Sequence, residues 1–291
     1  MRQAARGLAA LAAFAAFAVH AADPGWYLQV DNDVVFGTDR WYTSGVRVAH
    51  VEPRADHAIE WGLLQEIYTP EAKRANPVDR PNAARLVASL ARHEVSDRDW
   101  RTLELDLGVT GPAALGRQAQ ALVHRFVPAP HEDWSHQRSN RLDAQLAWTR
   151  TQRIAATPLL NANYGAVLGS QVAFAHAGIE LHLGDGAAMK MESPALRFAA
   201  TPPLASSDEA SWSPFLGASV RAMAWNHLLD FTPGFAEESL HMRRVVTRLA
   251  GGIAFQAHGL RAVLALLRDS REFDGQRRGQ AFGSLTLHLD F

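Results

Sequence analysis

The chain has no cysteine, almost no net charge and, beyond its N-terminal segment, no continuous apolar run long enough to cross a bilayer as a helix. The first absence excludes disulfides and thiolate metal sites and leaves the redox compartment open. A formal charge of −1 removes the electrostatic case for a nucleic-acid partner. The third absence excludes a helical membrane protein. A length of 291 residues allows one large β domain or two ordinary ones.

What is present begins at the N-terminus. Arg2 and Arg6 precede the apolar run "LAALAAFAAFAV" (8–19), and "HAADPGW" follows. A positive start, a short apolar stretch and small residues at the cut describe a secretory signal peptide. Val19 and Ala21 take the −3 and −1 positions, so residues 1–21 are expected to be removed and 22–291 to form the mature domain.

The dominant pattern after that is alternation with period two. "RTLELDLGV" (101–109) sets Leu103, Leu105 and Leu107 against Glu104 and Asp106; "RLDAQLAW" (141–148) and "PLLNANYGAVLG" (158–169) behave alike. The last strand, "SLTLHLDF", puts Leu285, Leu287, Leu289 and the terminal Phe291 on one face, as in the last strand of bacterial outer-membrane barrels. Segments of about ten residues with one apolar row suit a barrel with lipid outside and a polar lumen inside. A soluble sandwich would bury the same rows between two sheets, but the export signal and the terminal strand favour the barrel.

The expected fold is therefore all-β, a twelve-stranded antiparallel transmembrane β-barrel with a short helix in an extracellular loop. The strands are placed near 25–35, 42–53, 57–69, 83–95, 98–110, 141–152, 157–169, 171–184, 213–225, 241–256, 260–270 and 280–291. An even count leaves both termini on the periplasmic side. Residues 185–212 then fall on that side and are long for a turn there.

Two stretches carry chemistry. "DNDVVFGTDRWYTSG" (31–45) ends its first strand in Asp31, Asn32 and Asp33 and resumes at Tyr42 and Thr43. These are ordinary turn residues, so alone they suggest only a polar hairpin tip. "AALGRQAQALVHRFV" (113–127), within the third extracellular loop, reads as a helix, with Pro112 a good first-turn residue and Pro128 and Pro130 closing it off. Gln120 and His124 are four apart and share a face. A single His on a helix is most often a surface or packing residue. A Gln one turn before it can fix its tautomer or hold a water, and a base facing oxygen ligands makes a hydrolytic site.

Together with "DWSHQRSNR", "EIYTP" (66–70) and "DRP" (79–81), these motifs resemble the lipid A 3'-O-deacylase family over essentially the whole mature chain. The resemblance implies a twelve-stranded outer-membrane barrel and a calcium-dependent ester hydrolase acting on the 3'-linked acyl chains of lipid A in lipopolysaccharide. It places the site between the barrel's outer wall and a loop helix. Carried across by position, the family's Asn-Asp pair falls on Asn32 and Asp33, its threonine on Thr43 and its Gln-x-x-x-His on Gln120 and His124. Lys73 and Arg74 are the candidates for its lysine, as phosphate-holding groups. In that scheme His124 is the general base, Asp33 with Asn32 holds calcium, and Thr43 and Gln120 orient groups or waters. The protein is expected to be an exported, membrane-embedded monomer of the outer membrane.

Departures from the family pattern are Ser44, where relatives often carry Asn, and "DRPNAAR", which lacks the usual Tyr and Gly. Strict alternation also sets Asn32 on the lipid row and Asp33 on the lumen row, so both serve one site only if the strand end twists or bulges. The competing readings are an outer-membrane phospholipase, for which no His-x-Ser-Asn-Gly-like motif is found, and a non-catalytic channel or adhesin.

Overall fold

In the computed structural model the described residues are 25–71, 79–96, 98–125, 132–135, 137–156, 158–183, 210–230, 240–258 and 260–289. The signal-peptide region, Lys73, Arg74, most of 185–212 and Phe291 lie outside them. Twelve antiparallel strands close into a barrel in sequence order: β1 (Gly25–Asn32), β2 (Trp41–Pro53), β3 (Ala58–Thr69), β4 (Ala83–Val95), β5 (Asp99–Thr110), β6 (Arg141–Ala156), β7 (Leu159–Gly169), β8 (Val172–His182), β9 (Ser211–Asn226), β10 (Val245–Ala257), β11 (Leu260–Asp269) and β12 (Gln280–Leu289). The seam is β1 on β12, in register from Trp26↔Leu289 to Asn32↔Gly283. No described helix is long and apolar enough to span a membrane. Every strand expected from the alternation is present.

Outward rows are apolar and exposed, such as Leu103, Leu105 and Leu107 on β5. Inward rows are polar and buried, and their charges neutralise one another across the lumen. Arg47 lies between Glu60 and Glu104, and Arg85 meets Glu66 at 3.3 Å, Asp106 at 2.9 Å and Asp143 at 2.5 Å. Arg248 and Arg221 share Asp269. A charge without water around it must be paired, and here the pairs also fill the interior. A cavity of about 60 Å³ among Glu66, Arg85, Asp106 and Arg221 has room for a few waters only. At the outer mouth, Leu228 from the loop after β9 joins Tyr42, Tyr68 and Phe282, and Trp41, Leu229 and Phe273 pack above. A plugged, ion-paired lumen disfavours the channel reading.

Two local departures from regular strand geometry position the site. The first is at the end of β1, which stops at Asn32, three residues short of the expected end. Asp33–Phe36 form a 3-10 turn instead, with the Asn32 side chain accepting from the Val34 N–H at 2.7 Å and Gly37 closing the turn at φ 68°. The turn folds outward onto β12, where Val35 sits over Gly283. The second is a β-bulge in β2. Tyr42 pairs with Tyr68 and Ser44 with Ile67, leaving Thr43 as the extra residue. Tyr42 and Gly45 then both face the lumen, while Thr43 and Ser44 face out. Tyr42 donates to Asp31 at 2.8 Å, and a Cβ on Gly45 would lie 2.1 Å from that hydroxyl. The spacing of the Tyr-Thr-x-Gly motif is thereby explained: the aromatic ring needs the glycine beneath it, and the bulge sends the threonine through to the outer wall. The bulge that alternation demanded exists, but in β2; on β1 the turn after Asn32 does the work.

Gly45→Ala is expected to lift Tyr42 off Asp31 and to cost about 1–3 kcal/mol, as overpacking of a filled interior does. Urea unfolding of the refolded barrel should show it, and an unchanged midpoint would contradict this account.

Candidate functional site

The helix of the third loop, α1 (Gly116–Val123), lies on the outer wall over β3–β5. Its start differs from the expected one: Pro112–Ala114 make a separate 3-10 turn, and Leu115, at φ 60°, breaks the chain direction before α1 begins. Ala114 and Ala119 pack with Ile67, Ala84, Leu86, Val109 and Trp134. Gln65 donates to the Ala114 carbonyl at 2.6 Å, pinning the loop to β3. A Cβ on Gly116 would meet Ala84 at 2.4 Å and the Trp134 ring at 2.9 Å, so only glycine lets the helix approach this closely.

The close approach turns Gln120 inward. Its side chain is buried; its Oε1 accepts from Trp134 Nε1 at 2.8 Å and its Nε2 donates to Asp39 Oδ1 at 3.2 Å. The other oxygen of Asp39 lies 3.7 Å from Nε2 of His124, which caps the helix C-terminus. A relay from Trp134 through Gln120 and Asp39 to His124 therefore joins the helix to the loop after β1. Gln120 was expected to fix the His124 tautomer or to hold a water beside it; in the structure Asp39 lies against both side chains. Asp39 escaped the sequence reading because "GTDR" looks like turn chemistry.

Asp33 anchors the same loop. Its buried carboxylate accepts from the Thr38 hydroxyl at 2.7 Å and from the Arg40 N–H at 2.9 Å. Burial pushes its carboxyl well above the usual range and the Asp39 charge adds to this, while the Thr38 and Arg40 hydrogen bonds oppose it. The three oxygen-bearing residues at the end of β1 thus divide. Asp31 belongs to the lumen with Gln29 and Tyr42, Asn32 caps the turn, and Asp33 faces the site loop. Thr43, beside them on the outer wall, shares a 2.6 Å hydrogen bond with Thr69 rather than with Gln120 or His124.

The structure therefore links Asp33, Asp39, Gln120 and His124, and places Asn32 and Thr43 at the adjoining strand ends. The donor set is all oxygen apart from one imidazole, which fits a hard cation better than zinc. Among the described residues, no three His, Asp or Glu side chains converge as a ready-made metal cage. The carboxyl of Asp33, raised by burial and by a neighbouring carboxylate, is a group that a bound cation would keep ionised.

A model of the family "Outer membrane protein LpxR" matches residues 7–291. Among solved structures, LpxR from Salmonella typhimurium is similar at TM-score 0.78 and 19% identity, covering 92% of this chain and 100% of that one. The translocator domain of the autotransporter NalP from Neisseria meningitidis aligns at TM-score 0.47 and 11% identity, over 98% of this chain and 95% of that one. No curated protein sequence matches significantly.

Gly116→Val is expected to push α1 off the wall and abolish whatever activity the site has, with the barrel still folded by heat-modifiable gel mobility. Full activity in the folded variant would refute a site that depends on this approach.

Proposed function

The chain belongs to the outer membrane protein LpxR family, the lipid A 3'-O-deacylase family that its motifs resemble, and from that premise we propose that it hydrolyses the 3'-O-linked acyl ester of lipid A in the outer leaflet. The observation that carries the reading is the Gln120–Asp39–His124 relay on the lipid-facing wall. A base there meets an ester presented from the membrane, where a lumen site would not.

Hydrolysis needs an activated water and a place for the charge that develops on the carbonyl oxygen. His124 takes the proton of the attacking water and returns it to the leaving 3'-hydroxyl. Asp39 holds the Nε2 proton and steadies the imidazolium, which leaves the Nδ1 lone pair as the base. A contact of 3.7 Å is electrostatic as it stands, and catalytic hydrogen bonds commonly tighten when substrate binds. Gln120, fixed by Trp134, keeps Asp39 turned toward the helix. Asn32 and Thr43 line the strand ends and orient groups or water.

Calcium would be held by Asp33 with Asn32, the rest of its roughly six to eight oxygens coming from carbonyls, water and substrate. When bound it supplies polarisation of the ester carbonyl and stabilisation of the oxyanion. Lys73 and Arg74 remain the proposed phosphate contacts on the substrate. The rival phospholipase reading has no observation in its favour here.

Mass spectrometry of lipid A from Gram-negative cells tests the reaction. Wild type should remove the 3'-linked mass and folded His124→Ala should not; lipid A left intact by wild type, with calcium supplied, would overturn the assignment. Asp39→Asn keeps the shape but offers a donor where His124 needs an acceptor, so kcat should fall by roughly 10² or more, as in triads so altered, with KM little changed. Calcium should raise the melting temperature of the purified barrel and of His124→Ala alike, and Asp33→Asn should lose that gain. An equal gain in Asp33→Asn would remove Asp33 from the calcium site without touching the role of His124.

A further inference from the structure

The outer end of β10–β12 carries a charged surface that the reaction does not use. On the outward rows Leu249 is 60% exposed and Leu266 48%, as lipid-facing residues are. Arg268 continues the Leu264–Leu266 row by one step toward the outer end, between Leu249 and Ala281 in register, and is exposed. Just beyond it, the Ser270 N–H donates to Thr247 O at 2.9 Å and the Arg243 N–H to Glu272 O at 2.8 Å, bringing the two outer loops together. Arg271, Arg277 and Arg278 stand exposed on this platform.

Among the described residues, the nearby acids are already engaged. Glu272 is buried beside Arg80, Asp274 pairs with Arg243 at 3.0 Å, and Glu71 is bonded to Arg40 at 2.6 Å and lies 4.0 Å from Arg278. Arg268, Arg271 and Arg277 have no acidic partner among the described residues. At the outer ends of β6–β9 the described residues include Ser170, Gln171, Asn226 and His227, two exposed arginines, Arg141 and Arg244, the latter donating to the Ala224 carbonyl at 2.6 Å, and the acid Asp230.

We propose that this arginine surface binds the phosphorylated headgroup of a second, non-reacting lipopolysaccharide molecule. Cations set directly above an apolar wall sit at the depth of the leaflet's charged groups, where water is scarce and their mutual repulsion is poorly screened. An anion of the membrane itself relieves that, and guanidinium forks match phosphate oxygens in pairs. The reacting ester must reach His124 on α1, over β3, four strand spacings from β11 or roughly 19 Å at about 4.8 Å each. Asn32 on β1 is two spacings away, and the turn after it, folded onto β12, separates the arginines from the helix. Binding at this surface rests on the outer-membrane placement, and the count of two lipids rests in addition on the catalytic reading.

Native mass spectrometry of the full barrel in detergent tests it, using the non-hydrolysing His124→Ala protein and lipid A that carries both phosphates. Two lipids per barrel are expected. Adding Arg268→Gln, Arg271→Gln and Arg277→Gln should weaken one of the two at least tenfold and leave the other, and lipid A stripped of phosphate should lose the same one. Unchanged binding in the triple variant, or equal binding of phosphate-free lipid, would overturn the proposal. So would loss of both lipids from a triple variant that still folds by gel mobility, since the surface would then belong to the substrate. Wild-type turnover, measured separately, reports on the deacylase reading alone.

Discussion

Everything in this molecule depends on the backbone ladder closing on itself. In hydrocarbon each unpaired N–H or C=O costs several kcal/mol, so β1 must find β12, and the seam from Trp26↔Leu289 to Asn32↔Gly283 makes that closure. Closure fixes which residues look inward and leaves the inward rows polar. Polar rows in so narrow a barrel must then satisfy one another. The arginine–carboxylate groups around Arg47, Arg85 and Arg248 are the consequence. They fill the lumen, stiffen the wall and leave the outer wall as a surface on which chemistry with a lipid can be built.

That outer site is assembled from places where the ladder is interrupted. The bulge at Thr43 turns one residue of β2 outward without moving the strands beside it, because Tyr42 stays anchored to Asp31 and to Phe282, its ring 4.8 Å away. The 3-10 turn after Asn32 brings Asp33 and Asp39 around to the wall that α1 covers. Gly116 then sets the helix-to-wall distance that buries Gln120. Each device is local, and each is held by the rigid interior behind it.

The strands were legible because period two is a strong signal wherever one side faces lipid and the other a filled lumen. Leu103 to Leu107 against Glu104 and Asp106 could hardly fold otherwise. Gln120 and His124 were legible for a similar reason, since helical spacing alone puts them on one face. What spacing cannot say is where a strand gives way. β1 was expected to continue to 35, because Val34 and Val35 read as strand residues, yet the side chain of Asn32 offers the backbone a cap two residues on and the turn wins. The helix was expected from Ala113, but a left-handed Leu115 delays it. Asp39 was invisible as a site residue because its partners, Gln120 and His124, lie about eighty residues away. Three aspartates between 31 and 39 were a signal of crowding, though not of which one would reach the helix.

The two carboxylates that do reach the site are treated differently by their surroundings, and this divides their roles. Asp39 sits between an amide and an imidazole, both of which can offer it a hydrogen. Its charge is useful as it stands, and it gains most when His124 takes a proton. Asp33 receives a hydroxyl and a backbone N–H, but burial and Asp39 together work against its ionisation. Asp33 is buried and Asp39 only partly so. Arg40 already places a positive charge near Asp33, and the proposed calcium would add another, while the proposed imidazolium would serve Asp39. The surroundings of the two carboxylates are thus compatible with the proposed base beside Asp39 and the proposed cation beside Asp33.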